Sequence, residues 1–137
     1  MEEFIRLAVD LHSPPKIYVH EDFLGELKKS ELFVKYGFVT FNVGHHLIEG
    51  KDDLIQSISQ GCKFPSYFGM NWDALSDCLT DFHWNPAKGY IIVFAKGYKL
   101  DSLDNIIFDQ IILETQKSWA KDGISFKIVA PQPSLLS

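Results

Sequence analysis

Asp73, Asp77 and Asp81 stand four residues apart in the segment NWDALSDCLTDF, residues 71–82. Carboxylates at that spacing share one face of a helix. Two kinds of chemistry use such a column. Hard divalent cations take carboxylate oxygens as ligands, and a cationic pocket on another molecule takes them as counter-charges. A third reading gives them no chemistry and makes the column a solvated helix face. Position along the helix matters. Asp73 falls in the first turn, where the helix dipole favours it, whereas Asp81 falls near the C-terminus, where the dipole opposes it. Asp77 sits mid-helix, where aspartate is a weak helix former. Each pair of like charges at i, i+4 costs about 0.2–0.5 kcal/mol. The column is therefore mildly unfavourable for folding, and stability alone would place Lys or Gln at one of these positions.

On a helical wheel, Trp72, Ala74, Leu75, Cys78 and Leu79 fill one half. The aspartates, with Ser76 and Thr80, fill the other. The pattern predicts a helix over 71–80. Asn71 is its N-cap, and Pro65 and Gly69 keep it from starting earlier. Residues 52–82 hold five aspartates against Lys63 alone, a net of −4 out of −5 for the whole chain. The acidity is thus concentrated in one segment. It argues against binding a phosphate backbone, which asks for Lys and Arg, and it suits a basic partner.

Other residues that could do chemistry are weaker candidates. His45 and His46 are adjacent at a strand end, so their side chains point to opposite sides and are not expected to chelate together. Cys62 and Cys78 form no knuckle pair; a reduced thiol buried among apolar residues is expected at Cys78. Trp84 and Trp119 are read as core or helix-packing residues. Of Tyr67 and Phe68, Phe68 is expected inside and Tyr67 outside. His83 borders the acidic face without a catalytic requirement. No GxxxxGK phosphate loop occurs. No cofactor and no metal is expected.

The elements that must position the acidic helix follow from periodicity. Runs rich in Val, Ile and Phe at 38–43, 90–95 and 124–130 read as buried strands. Helical patterns fall at 52–60 and 103–121, the latter stopping before Gly123. Strands separated by helices favour a parallel sheet, so a small α/β layer structure is expected. Before it, Ile5, Leu7, Val9 and Leu11 alternate with other residues, so 4–11 reads as a strand, broken by Ser13, Pro14 and Pro15. Residues 17–19 read as a short strand and 22–29 as a short helix. At 137 residues and 46% apolar composition, the chain is long enough for one domain with a real core. The acidic start lacks the long apolar run of a signal peptide, and no stretch reaches transmembrane length. A cytoplasmic monomer that binds neither membrane nor nucleic acid is expected.

The stretch 65–80 resembles the barstar family, the small intracellular inhibitors of ribonucleases. The family pattern runs proline, any residue, tyrosine, aromatic, glycine, any residue, asparagine, any residue, then Asp-Ala-Leu, any residue, Asp-Cys-Leu-Thr. It is met at Pro65, Tyr67, Phe68, Gly69, Asn71, Asp73, Ala74, Leu75, Asp77, Cys78, Leu79 and Thr80. The likeness extends more weakly over 38–130. It implies a three-stranded parallel sheet with helices over 37–137; residues 1–36 lie outside the resemblance and read as an extension that adds strands or a short helix. It also implies that the acidic helix and the preceding loop plug the basic active site of a nuclease. By this resemblance Asp77 mimics the substrate phosphate, Asp73 is its neighbour, and Tyr67 packs over the catalytic site. The expected partner-binding set is Tyr67, Gly69, Asn71, Asp73, Ser76, Asp77, Thr80 and Asp81. Ser76 and Phe82 stand where the family has tryptophan, on or near the expected interface, and Ser118 where it has glutamate, with Glu114 one turn earlier. Beside a ribonuclease or nuclease toxin as partner, two alternatives stay open: a regulatory module with a non-nuclease partner, and a metal-dependent hydrolase using Asp73 and Asp77.

Overall fold

The three apolar runs form parallel strands in the computed structural model, which describes residues 2–29, 32–65, 69–82 and 85–132. They are β2 (Phe38–Val43), β4 (Gly89–Phe94) and β6 (Ser125–Pro131). Each of β4 and β6 is buried almost throughout, which is why β4 is continuously apolar rather than alternating; β6 departs from that only at Ser125 and Lys127, both buried. The helical patterns form α4 (Lys51–Gly61), α5 (Trp72–Leu79) and α6 (Ser102–Ala120). Gly123 follows α6 with φ 73°, and its N–H bonds the Ala120 carbonyl at 3.0 Å, closing the helix as its left-handed geometry allows. Two short strands, β3 (Ile48–Glu49) and β5 (Tyr98–Lys99), pair in a small parallel sheet of their own.

The N-terminal segment is where the sequence reading needs correction. Residues 4–11 do not form a strand; Glu2–Val9 is a helix, α1. Phe4 and Ala8, one turn apart, are its buried anchors, and Leu7 is partly buried beside them. This i, i+3, i+4 set uses the same stretch in which Ile5, Leu7, Val9 and Leu11 alternate; Val9 is in fact 41% exposed. The strand over 17–19 and the helix over 22–29 are present as β1 (Lys16–Val19) and α2 (Glu21–Lys29), followed by one short helical turn, α3 (Leu32–Lys35). β1 joins the main sheet as a fourth parallel strand, giving the order β1-β6-β4-β2.

Both faces of this sheet are covered. On one, α4, α5 and α6 pack over Phe41, Val43, Tyr90, Ile92, Phe94, Phe126 and Ile128. On the other, Phe4, Ala8, Leu24 and Leu27 of α1 and α2 pack over Ile17, Val19, Ile91, Val93 and Val129. The N-terminal residues therefore supply an entire layer.

A buried lysine ties that layer down. Lys127 lies in β6 and is fully buried, and its Nζ donates to the carbonyl oxygen and the Oγ of Ser13, both at 2.8 Å. Gln116 Nε2 of α6 donates to the same carbonyl at 2.7 Å, and Ser125 Oγ donates to the Ala8 carbonyl. Burial pushes the Lys127 ammonium down to about 8, against a smaller opposing pull from the Asp10 carboxylate. Between pH 8 and the usual lysine value of 10.5 the unfolded chain holds the proton and the folded chain does not. This group's contribution to stability therefore rises with pH across that window, and its cost is full below it. The Lys127→Met variant is expected to lose this rising component. Urea midpoints of the two proteins, compared across that window, should diverge in favour of the wild type; a pH-independent difference would contradict a buried, depressed ammonium.

Candidate partner-binding face

The acidic helix is fixed from beneath. Leu75 and Leu79 are 0% and 1% exposed and point into the core shared with α4 and α6. Trp72 stacks on Phe108 of α6, with ring centroids 6.3 Å apart. At the other end of α5, Trp119 Nε1 donates to the Leu79 carbonyl at 2.8 Å, satisfying a terminal carbonyl that the helix itself cannot. The Asn71 side chain accepts from the Ala74 N–H at 2.8 Å, so the predicted N-cap is present. Gly69 leaves room for that cap: a Cβ there would stand 3.2 Å from Asn71 Nδ2. Asn71→Ala should destabilise the chain by about 1 kcal/mol, read as a lower melting temperature. An unchanged melting temperature would show that the cap contributes nothing.

With the underside fixed, the opposite face is presented to water. Asp73, Asp77 and Asp81 are all exposed. Among the described residues neither Asp73 nor Asp77 has a salt-bridge partner. Asp81 lies just past the C-cap, Thr80, rather than within the helix. Ser76 is half-buried on the flank of the column. The Thr80 hydroxyl donates to the carbonyls of Ser76 and Asp77, at 3.0 and 3.1 Å, so it closes the helix. Tyr67 lies outside the described residues, as do Phe68, His83 and Trp84.

Three neighbouring positions differ from expectation. Cys78 is half-buried rather than fully buried; Cys62 is the fully buried thiol, and both are free. Burial, then the Asp77 and Asp81 carboxylates, push the Cys78 thiol up, so it is a poor nucleophile. Phe82 is a core residue. It is 1% exposed and stacks against Phe41, Tyr90 and Trp119, so replacing tryptophan there alters the core. Lys51 was not foreseen at all: its ammonium lies 5.8 Å from the centroid of the Trp72 ring, a cation beside the first turn of the acidic helix. Ser118 and Glu114 are exposed on α6, and Glu114 accepts a hydrogen bond from Gln110 at 3.3 Å.

Of the adjacent histidines, His46 has a structural partner. His46 Nε2 lies 3.0 Å from both carboxylate oxygens of Asp53. Asp53 also accepts from the Glu49 N–H and the Ser57 hydroxyl. The Glu49 N–H first, and then His46, hold the Asp53 carboxyl below its usual range. Among the described residues, no group of three or more His, Cys, Asp or Glu side chains is arranged to hold a metal ion. No helix among them is long and apolar enough to cross a membrane.

A layered α/β frame thus fixes a short helix from beneath and turns the carboxylates of Asp73 and Asp77 outward. The chain belongs to the barstar family: the family model described as Barstar (barnase inhibitor) matches residues 38–131. Comparison with curated proteins and with solved structures gives no match. The matched region begins at β2, so α1, β1 and α2 lie outside it. Members of the family are inhibitors that bind ribonucleases.

Proposed function

We propose that this protein inhibits a basic ribonuclease or nuclease toxin by placing α5 and the loop before it in the enzyme's active site. The observation that carries this reading is the exposure of Asp73 and Asp77 on a fixed helix, without a salt-bridge partner among the described residues. A cleft that holds substrate phosphate is lined by Arg, Lys and His, and a carboxylate can take the phosphate's place there. Asp77 is the central mimic and Asp73 its neighbour. Tyr67, Gly69, Asn71, Ser76, Thr80 and Asp81 complete the contact set, with Asn71 and Thr80 acting mainly by holding the helix ends. The protein acts as a monomer in the cytoplasm of a cell that makes the nuclease, as an immunity protein would. It catalyses nothing and uses no cofactor or metal.

The cost of the acidic column supports the same reading. Like charges at i, i+4 weaken the helix slightly, and an opposing cationic site would offset that repulsion on binding. Opposite fields also steer the two proteins together, so association should slow as salt rises. The test is capture from the native source on immobilised full-length protein, followed by a nuclease assay with and without the inhibitor. Recovery of a basic nuclease whose activity falls on addition of the chain supports the proposal. Ser118, exposed where the family carries glutamate, favours a second reading in which the partner is not a nuclease. Recovery of a transcription factor or another enzyme would establish that reading instead.

A further inference from the structure

At the carboxyl edge of the main sheet the chain leaves the two strands that flank β6 toward opposite faces. From β1 it passes through Glu21 into α2, which lies on the face covered by the N-terminal layer. From β4 it passes through Lys96, Gly97 and β5 into α6, on the other face. The end of β6 lies between them in the strand order. Where connections diverge in this way a parallel sheet leaves a crevice uncovered, and α/β proteins take ligands there. In this chain the crevice is a cavity of about 500 Å³. Small-molecule sites run from about 300 to 1,000 Å³. Its floor is the end of β6, tied to β1 by a hydrogen bond from the Gln132 N–H to the Val19 carbonyl at 2.9 Å.

The lining reverses the sign of the chain as a whole. Lys96 and Lys99 are exposed on one wall, and neither has a salt-bridge partner among the described residues. Lys16 also lines the cavity, but its ammonium is committed to Asp109. Burial alone would lower Lys16; the Asp109 carboxylate and the Tyr98 hydroxyl outweigh it and keep the group firmly charged. Lys16 thus fixes the wall and leaves Lys96 and Lys99 for a ligand. Tyr18, 46% exposed, supplies aromatic surface; Tyr98 also lines the cavity, with its ring packed against Phe94 and Phe108 and the Lys16 ammonium over it. Glu21 lines the cavity too, and its carboxylate would repel a bare anion while accepting a hydrogen bond from a ligand hydroxyl or amino group.

We propose that this crevice binds a small phosphomonoester carrying a flat ring, its phosphate on Lys96 and Lys99 and its ring against Tyr18. Two lysines suit a phosphate as point charges, and the exposed Tyr18 ring suits a planar group. The site shares no residue with α5, and its test does not depend on the nuclease partner.

The experiment is an amide-resonance titration of the full-length protein with adenosine monophosphate at low ionic strength. Inorganic phosphate and adenosine serve as separate arms. The expected result is saturable shifts at Tyr18, Gly97, Lys99 and Gln132, with each fragment binding about tenfold or more weakly than the nucleotide. The Lys96→Gln, Lys99→Gln double variant should lose about tenfold or more in affinity, while Lys88→Gln, just before the opposite end of β4, should leave it unchanged; the same spectra report whether each variant is folded. Three results would overturn the proposal. They are shifts that never saturate, equal affinity for phosphate and nucleotide, and an equal loss from Lys88→Gln, which would mean diffuse attraction only.

Discussion

Replacing Asp77 with alanine is expected to weaken nuclease binding by about 3–5 kcal/mol, roughly a hundred- to several-thousand-fold. That is the range for removing one member of a charge pair that is desolvated on both sides. The loss comes mostly from the cationic groups left buried without a counter-charge in the partner. Asp73→Ala should cost less, about 1.5–3 kcal/mol, as for one hydrogen bond to a charged group. Neither substitution should harm the fold. Both side chains are exposed, and alanine is the best helix former. Asp77→Ala also relieves repulsion toward both neighbours in the column, about 0.2–0.5 kcal/mol for each pair. Calorimetric titration gives the affinities and thermal melting the stabilities. Unchanged affinity in Asp77→Ala would remove the phosphate-mimic role from this residue.

Phe82→Ala should give the opposite signature: a folding loss of about 3–5 kcal/mol with partner affinity preserved in the folded fraction. Phe82 sits five residues beyond Asp77, close enough in sequence to be mistaken for part of the same surface. Its ring instead packs among the rings of Phe41, Phe64, Tyr90 and Trp119. Removing it leaves a hole beneath α5, between a strand and the end of α6. Urea unfolding measures the stability, and titration at low temperature, where the variant stays folded, measures affinity. A large affinity loss with little change in stability would place Phe82 at the interface after all.

The central strands and the helices on their first face were legible because their signals are local. A run such as YIIVF can be satisfied only by burial on both sides, and α5 alternates apolar and polar faces at helical spacing. The acidic column was legible for the same reason. The N-terminal helix was not, because Ala8 carries its burial with a single methyl group while Val9, which is exposed, looks like a core residue. Nor could spacing reveal that Trp119 caps the end of α5, since the donor and the Leu79 carbonyl lie 40 residues apart. Lys127 gave no sign either. A lysine in the middle of ISFKIVA is ordinarily an exposed interruption; here it points at the Ser13 backbone.

The pairing of β1 with β6 also bears on how the chain comes off the ribosome. Lys16 is opposite Ile128 in the sheet, so among the described residues the first-made strand has the last as its one lateral neighbour. Until β6 is translated, the apolar side chains of α1 and α2 have no finished surface to dock on, and the sheet cannot close. Such long-separation contacts slow folding. The layer formed by α1 and α2 should therefore pack late, only once β6 is in place to receive it.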